Sequence, residues 1–344
     1  MTPSNYAAFV QTVDTSIGAI YSQMDPAVSF REYTREDPMT GGEQKVYGWT
    51  GMTPKPRPWF GSRMTYEPAP QTYVVTPIPY ELTLQMDQFI LDDSDPNAMS
   101  IFWRKLPDMA RQWKRQPEYE IRDLLENAGI QTGSRQNGLD GFTFFNTGHP
   151  IDLYNPTFNN GSSLFSAGTY CNDFIGGQTI GGVTIGGALS TTSFSSLRAY
   201  LGMIPAEDGE TLGLVADALI IPQTLLDEAA FIIKAVTLAS PSWGAFSPLT
   251  GQVGAADNML AKMGVRPVVN RWLRKTQRFY LADTKYSEKP LLWVVREAPR
   301  TVPRINPDDP IVFDAHKYTW GGWDRVCPAW GYSFLMLRSG PVGG

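Results

Sequence analysis

Apolar and polar side chains alternate along residues 82–87. Leu82, Leu84 and Met86 are the apolar members, and this period of two predicts a strand with one buried face. Later β-prone runs predict further strands, of which the first is expected to be buried. These runs lie at residues 216–221, 265–269, 279–282 and 291–297, and residues 312–338 predict two more strands with a turn at Gly321 and Gly322.

Helical periodicity, with apolar residues every three or four positions, marks four other segments. They are residues 4–24, 96–128, 194–201 and 225–235. The longest contains Pro107 and Pro117, so we expect a kink or two stacked helices rather than one straight rod. Asp92 and Asp93 precede Pro96 and suit a helix start, where carboxylates meet the positive end of the dipole. Helices mixed with strands in this order predict an α+β fold.

A loop rich in proline and tryptophan precedes the alternating strand. Its centre carries Trp59, Phe60 and Arg63. Because prolines disfavour strand pairing, the loop is expected to project from the core, with its aromatic side chains covered by a neighbouring chain. We hypothesise that these three residues dock near Asp92 and Asp93 of an adjacent subunit. The alternative is an ordinary loop whose aromatic side chains fold back onto their own domain.

Two segments raise the question of chemistry. The run GGQTIGGVTIGG at residues 176–187 lacks the lysine of a phosphate-binding loop, and it predicts a glycine-punctuated hairpin or flap. His149 lies beside Asn146 and near Asp140, but no G-x-S-x-G motif accompanies it. We therefore interpret it as a packed turn histidine. We expect no catalytic residue, cofactor or metal. The enzyme alternative is a metal-dependent hydrolase that uses His149 together with Asp92 and Asp93.

Composition narrows the class of protein. A chain of 344 residues is expected to form two domains, and its 27 prolines indicate many loops. The net charge is −5, and without a basic tail or stripe direct nucleic-acid binding is not expected. No signal peptide or membrane span is predicted. Cys171 and Cys327 are expected to be buried thiols in a reducing compartment.

Three segments, in order, carry a resemblance to a known family. The first includes Trp49-Thr50-Gly51 and Pro58-Trp59-Phe60-Gly61-Ser62-Arg63; the second is GLDGFTFFNTGHP at residues 138–150; the third is VFDAHKYTWGGWDRVCPAWGYSFLMLRSG at residues 312–340. Together they resemble the major head subunit family of Mu-like phages. The glycine-rich stretch near residues 160–190 fits this pattern poorly and is interpreted as a local elaboration.

The resemblance implies a Hong Kong 97-like (HK97-like) major capsid protein fold of the α+β class. Its parts would be an amino-terminal arm, an extended loop, a peripheral domain with a spine helix, and an axial domain. The predicted ranges are 1–40 for the arm, 41–86 for the extended loop, 87–139 and 286–324 for the peripheral domain, and 140–285 and 325–344 for the axial domain. Because the chain begins at Met1, we expect no removal of an amino-terminal segment.

The function implied by this resemblance is that of a major capsid protein of a tailed double-stranded DNA bacteriophage. Copies would self-assemble into hexamers and pentamers of an icosahedral virion shell, built in the bacterial host cytoplasm. Expected partners are other copies, a portal protein, scaffold and decoration proteins, and encapsidated DNA held without sequence-specific contacts; no membrane partner is expected. The alternatives are an encapsulin-like compartment shell protein and a phage tail or baseplate component.

Overall fold

The computed structural model describes most of the chain. The described residues are 29–49, 71–87, 96–127, 137–152, 162–165, 168–234, 237–239, 255–257, 259–286, 288–304 and 309–343, with positions 11, 12, 15, 58, 59, 61, 63, 89 and 306. Its first elements are α1 (Phe30–Tyr33), β1 (Thr34–Pro38), β2 (Lys45–Trp49), β3 (Gln71–Val75), β4 (Ile78–Asp87), α2 (Pro96–Glu126), β5 (His149–Pro150), β6 (Thr169–Tyr170), β7 (Asp173–Ile175), β8 (Gln178–Ile180), β9 (Val183–Ile185) and α3 (Thr191–Met203).

The later elements alternate between strands and short helices. They are β10 (Ala218–Ile221), α4 (Leu226–Lys234), β11 (Thr237–Ala239), β12 (Ala255–Asp257), β13 (Arg266–Val269), β14 (Phe279–Ala282), β15 (Leu291–Arg304), α5 (Pro310–Ala315), β16 (Lys317–Trp330) and β17 (Met336–Gly340). Single 3₁₀ turns lie at Gln223–Leu225, Met259–Met263 and Ser333–Leu335. Within the described residues, no helix has both the length and the apolar character needed to cross a membrane.

One sheet has four strands in the order β1-β15-β16-β4. β1 runs parallel to β15, and the other two pairs are antiparallel. In β4 the more buried positions alternate with exposed ones and end at buried Met86, so the predicted period of two is confirmed. β15 and β16 have 14 residues each, which makes β15 longer than the predicted run at 291–297.

The long helix α2 crosses this sheet and contacts β16 and β4. It is continuous from Pro96 to Glu126 with Pro107 and Pro117 inside it, so the predicted division into two stacked helices is wrong. Each proline removes only one backbone hydrogen bond. Burial of Trp113, Ile121 and neighbouring side chains against the sheet offsets that loss.

The predicted turn at Gly321 and Gly322 is also wrong. Both residues lie inside β16, where they pair with Thr83 and Leu82 of β4. A Cβ atom at Gly322 would lie 2.7 Å from Nε1 of Trp113 in α2. Gly322 is therefore the place where the indole lies directly against the strand backbone, a close approach that only glycine permits. The chain reverses direction later, between Gly331 and the 3₁₀ turn that begins at Ser333.

A second sheet of five strands, in the order β13-β10-β14-β17-β7, forms the centre of the other half. Its two faces pack into different cores. Leu219, Ile221 and Leu281 pack in one core with side chains of α3 and α4. Ala218, Ile220 and Tyr280 pack in the other, which also contains side chains of α2 and the four-stranded sheet. The five-stranded sheet thus lies between its own helices and the rest of the molecule.

Most of the other predicted elements are confirmed with small changes in their ends. α3 begins at a reciprocal capping box between Ser190 and Ser193, an arrangement that satisfies free helical N–H groups. The glycine-rich segment forms the hairpin β8–β9, which turns at Gly181 and Gly182, both with positive φ. Cys171 and Cys327 are buried free thiols.

Residues 29–33, which follow the predicted arm helix, pack into the folded core of the protein. Phe30 and Tyr33 are buried, and the buried carboxylate of Glu118 in α2 accepts hydrogen bonds from the Ser29 hydroxyl at 2.9 Å and the Phe30 N–H at 3.1 Å. The predicted helix at residues 4–24 lies mostly outside the described residues. At its described positions 11, 12 and 15 the chain is helical.

Candidate inter-subunit contact site

Strands β2 and β3 form a two-stranded hairpin separate from the two main sheets. Tyr47 pairs with Tyr73 on one face, and Val46 pairs with Val74 on the other. Tyr73 is buried, whereas Val46 and Val74 are 59% and 38% exposed. One face of the hairpin therefore packs on its own chain and the opposite face presents apolar surface. The sequence analysis missed these two valines, although the β-branched and aromatic residues of KVYGW and QTYVV were a signal for strands at these positions.

Polar contacts hold the base of the hairpin on the four-stranded sheet. The Tyr47 hydroxyl donates to Oδ2 of Asp37 at 2.6 Å, and Lys45 Nζ lies 2.5 Å from Oδ1 of the same carboxylate. The buried Tyr73 hydroxyl accepts from the Trp330 N–H at 3.3 Å. Partial burial opposes ionisation of Asp37, but the hydrogen bonds from Lys45 and Tyr47 lower its pKa below the usual range. The base is thus fastened by an ionised carboxylate at neutral pH.

The described part of the loop tip is organised around Trp59. Its indole N–H donates to the Gly61 carbonyl at 2.6 Å, and the Arg63 guanidinium carbon lies 5.1 Å from the ring centroid. Trp59 nevertheless stays 66% exposed. Gly61 has φ +91°, a conformation that favours glycine. The structure therefore brings Trp59 and Arg63 together in a preorganised, solvent-facing pair. Phe60, Asp92 and Asp93 lie outside the described residues.

His149 occupies a buried polar network rather than a cleft. Its Nδ1 lies 2.5 Å from Oδ2 of Asp140, and its Nε2 lies 3.0 Å from the Phe144 carbonyl oxygen and 3.2 Å from Oδ1 of Asn172. Ser333 contacts Asp140, not the imidazole, so no nucleophile faces either ring nitrogen in this network. Through Asn172, which directly precedes β7, these contacts hold residues 140–149 against the five-stranded sheet. Among the described residues, no group of three His, Cys, Asp or Glu side chains could hold a metal.

Asp324 lies buried on β16 beneath the long helix. Gln116 Nε2 of α2 donates to its Oδ1 at 3.3 Å. Burial raises the pKa of Asp324 to about 6, and the charge of Glu120 acts in the same direction, while the Gln116 hydrogen bond opposes both. The junction between helix and sheet therefore contains a carboxyl group that is ionised at neutral pH at a cost in free energy.

We expect Asp324→Asn to stabilise the protein at pH 7. Because the pKa is raised on folding, the contribution of Asp324 is fully present below its ordinary value of 3.8 and is lost as the pH rises through about 6. The variant should be more stable than the wild type by about 1–3 kcal/mol at pH 7 and indistinguishable near pH 4. Urea unfolding at several pH values measures this, with the exposed Asp314→Asn as control. An equal gain at pH 4 and pH 7 would refute the assignment.

One family model identifies the family of this chain. The family model of the Mu-like prophage major head subunit gpT matches residues 35–170 and 257–340, more than half of the chain. The unmatched stretch between them contains the glycine-rich hairpin, as the sequence analysis anticipated. No curated protein matches the chain.

Similar solved structures are phage or particle capsids. The bacteriophage JBD30 capsid decorated with minor capsid protein trimers has a TM-score of 0.50 and 17% identity, over 73% of this chain and 92% of that chain. The procapsid of bacteriophage JBD30 has a TM-score of 0.49 and 19% identity, over 98% and 76%. The capsid of an empty GTA particle has a TM-score of 0.49 and 12% identity, over 92% and 91%.

The family match covers both ends of the described fold. Its first part contains the β2–β3 hairpin and α2, and its second contains β13 to β17. It favours a phage head over the encapsulin-like and tail alternatives. The chain therefore belongs to the Mu-like prophage major head subunit family, gpT, and is a major capsid protein of a tailed bacteriophage with an HK97-like fold.

Proposed function

We propose that copies of this chain form the hexamers and pentamers of an icosahedral head that encloses a double-stranded DNA genome. Assembly would take place in the bacterial host cytoplasm. A portal protein would occupy one vertex, and scaffold and decoration proteins would act on the shell. The observation that carries the proposal for this chain is the exposed, preorganised pair of Trp59 and Arg63 at the end of an anchored hairpin.

We propose that the chain is divided into the domains that the family resemblance implies, with one domain boundary moved. The arm is residues 1–40 and the extended loop is residues 41–86. The peripheral domain holds α2 and strands β15 and β16 of the four-stranded sheet, to which the arm adds β1 and the extended loop adds almost all of β4. The axial domain holds the five-stranded sheet. Since β16 continues in the four-stranded sheet to Trp330, sheet membership favours moving the last boundary from residue 324 to residue 330.

The extended loop is proposed to dock on an adjacent subunit. An isolated two-stranded hairpin is only marginally stable in water, so the β2–β3 hairpin gains stability when its exposed valine face is covered. Trp and Arg are the side chains most often found at the energetic centres of protein interfaces. Trp59 and Arg63 would supply that centre, with Phe60 beside them, and the region of Asp92 and Asp93 on the neighbour would supply complementary charge.

Weak contacts of this kind are sufficient for a closed shell. Each subunit both offers a loop and receives one, and simultaneous contacts raise the effective concentration of every further contact. A subunit whose loop and arm are covered only by neighbours also becomes more stable on assembly. Reversible single contacts would allow misplaced subunits to leave, while the complete shell would dissociate very slowly.

Electron microscopy and sedimentation of the purified 38.2 kDa chain test the proposed function. We expect closed shells, or rings of five and six subunits, either from the chain alone or after addition of its scaffold protein. A monomer or dimer that persists under both conditions would contradict the proposal.

A further inference from the structure

Several cations of this acidic protein lie along one ridge formed by α2 and the connection between β13 and β14. The whole chain has 29 Lys and Arg residues against 34 Asp and Glu residues. Among the exposed or half-exposed cations of these two segments, we give the name basic ridge to six: Arg104, Lys105, Arg111, Arg115, Arg271 and Arg274. Three carboxylates contact it: Asp108 at 3.0 Å from Arg111, Asp123 at 3.9 Å from Arg274, and Glu126, which lies against the backbone of Arg274.

Helical spacing aligns the cations of α2. Arg104, Arg111 and Arg115 are separated by seven and four residues, so their side chains emerge from the same side of the helix. At a rise of 1.5 Å per residue they span about 17 Å. This side lies opposite Met109 and Trp113, which are buried against the sheet.

The β13–β14 connection continues the ridge toward the end of α2. Trp272 lies 5.2 Å from the Arg115 guanidinium carbon, and its ring meets the Tyr119 ring edge to face at 4.9 Å. Glu126 at the end of the helix accepts hydrogen bonds from the backbone N–H groups of Arg274 and Lys275. The ridge thus extends from Arg104 to the last turn of α2, about 33 Å along the helix.

We propose that the basic ridge lies on the interior of the shell and binds the phosphate backbone of the enclosed double-stranded DNA without reading its sequence. This rests on the proposed function, in which the shell encloses a DNA genome. Duplex DNA carries one negative charge per about 1.7 Å of its axis, and one helical turn is about 34–36 Å long. A row of cations about 33 Å long is therefore comparable in length to about one turn of duplex.

The composition of the ridge favours DNA over an acidic protein partner. Protein interfaces centre on buried apolar and aromatic side chains. In the parts of α2 and residues 270–276 whose side chains are described, no large apolar side chain is strongly exposed. The negative charge elsewhere on the chain limits the attraction to this face. The proposed contact is local, weak and sensitive to salt, and it differs from the absence of nucleic-acid binding that the net charge predicts.

Two variants with the same change in net charge separate the ridge from overall charge. The ridge variant is Arg104→Gln with Arg111→Gln and Arg115→Gln. The control variant is Arg31→Gln with Arg300→Gln and Arg304→Gln, three arginines whose side chains are 63%, 59% and 59% exposed elsewhere. Both are prepared as the full chain at concentrations below those that sediment as shells.

Fluorescence anisotropy with a random-sequence 30-base-pair duplex, about three helical turns, measures binding across a salt series. In the ridge variant we expect affinity near 0.1 M salt to fall about tenfold or more, and the log–log salt slope to become shallower by about 2.7. The control should keep the wild-type slope. Equal losses in both variants, or no loss in the ridge variant, would overturn the proposal.

Two further measurements isolate the cause of any failure. Polyglutamate, titrated in the same assay, stands for an acidic protein. Binding to polyglutamate that depends on the ridge, together with DNA binding that does not, would overturn the proposal.

If the ridge variant does not fold, Arg104→Gln with Arg271→Gln replaces it, and we then expect the salt slope to change by about 1.8. Normal shells from a ridge variant with unchanged DNA affinity would reject the ridge alone, whereas absence of shells from the wild type would reject the proposed function.

Discussion

Trp59→Ala combined with Arg63→Ala should leave a folded subunit that builds no shells. Within the described part of the chain these side chains contact each other and the Gly61 carbonyl. Because Trp59 is also largely exposed, we expect the subunit to lose little of its own stability. Truncation of a side chain at the centre of an interface costs about 2 kcal/mol or more. Repeated at every subunit contact, a loss of this size prevents closure of the shell. Sedimentation together with thermal unfolding measures both quantities.

A second cation–aromatic pair in the same chain supplies the matched control. Arg300 lies 3.9 Å from the Trp323 ring centroid, on the four-stranded sheet. Arg300→Ala with Trp323→Ala removes the same side-chain types and the same kind of contact from another part of the surface. This control should still form shells under conditions where the subunit is folded. Normal shells from the loop-tip variant, or equal loss of shells in both variants, would contradict the assignment of the loop tip.

Gly322→Ala should destabilise the subunit by about 1–3 kcal/mol, the usual cost of overpacking. The added methyl group would lie 2.7 Å from Nε1 and 3.1 Å from Cε2 and Cζ2 of Trp113. The indole is buried between α2 and β16, so it cannot move without separating the helix from the sheet. Denaturant unfolding of the unassembled chain measures the loss, and assembly should fall with it.

The adjacent glycine provides an internal control for this effect. At Gly321 a new Cβ would lie 3.6 Å from Oγ1 of Thr83 and 3.9 Å from the Val302 carbonyl oxygen, both ordinary contact distances. Gly321→Ala should therefore change stability by less than about 0.5 kcal/mol. Equal destabilisation by the two substitutions would show that strand propensity, and not the contact with Trp113, determines the effect.

Local patterns predicted the regular elements because those elements depend on neighbours in sequence. The alternation around Leu84 and the apolar run at 279–282 correspond to β4 and β14, and the paired glycines at 181 and 182 form the turn of a hairpin. The same dipeptide at 321 and 322 does not form a turn. A residue in α2, about 200 positions earlier, makes glycine necessary there, and no pattern within the strand carries that information.

The candidate surfaces were only partly predictable for the same reason. Trp59 and Arg63 are close in sequence, so their exposure in a proline-rich loop could be anticipated. The basic ridge joins cations of α2 to Arg271 and Arg274, which lie more than 150 positions later. Along the chain, Asp and Glu residues lie between these cations, so no basic run is visible in the sequence. Only the packing of Trp272 beside Arg115 brings the two groups into one row.

A side-chain-resolution electron microscopy map of the assembled shell tests the central claim most directly. In the described subunit Trp59 is 66% exposed. We predict that in the shell it becomes mostly covered, with the covering atoms belonging to an adjacent copy of the chain. A Trp59 ring that remains exposed in the shell, or that is covered by its own subunit, would contradict the account.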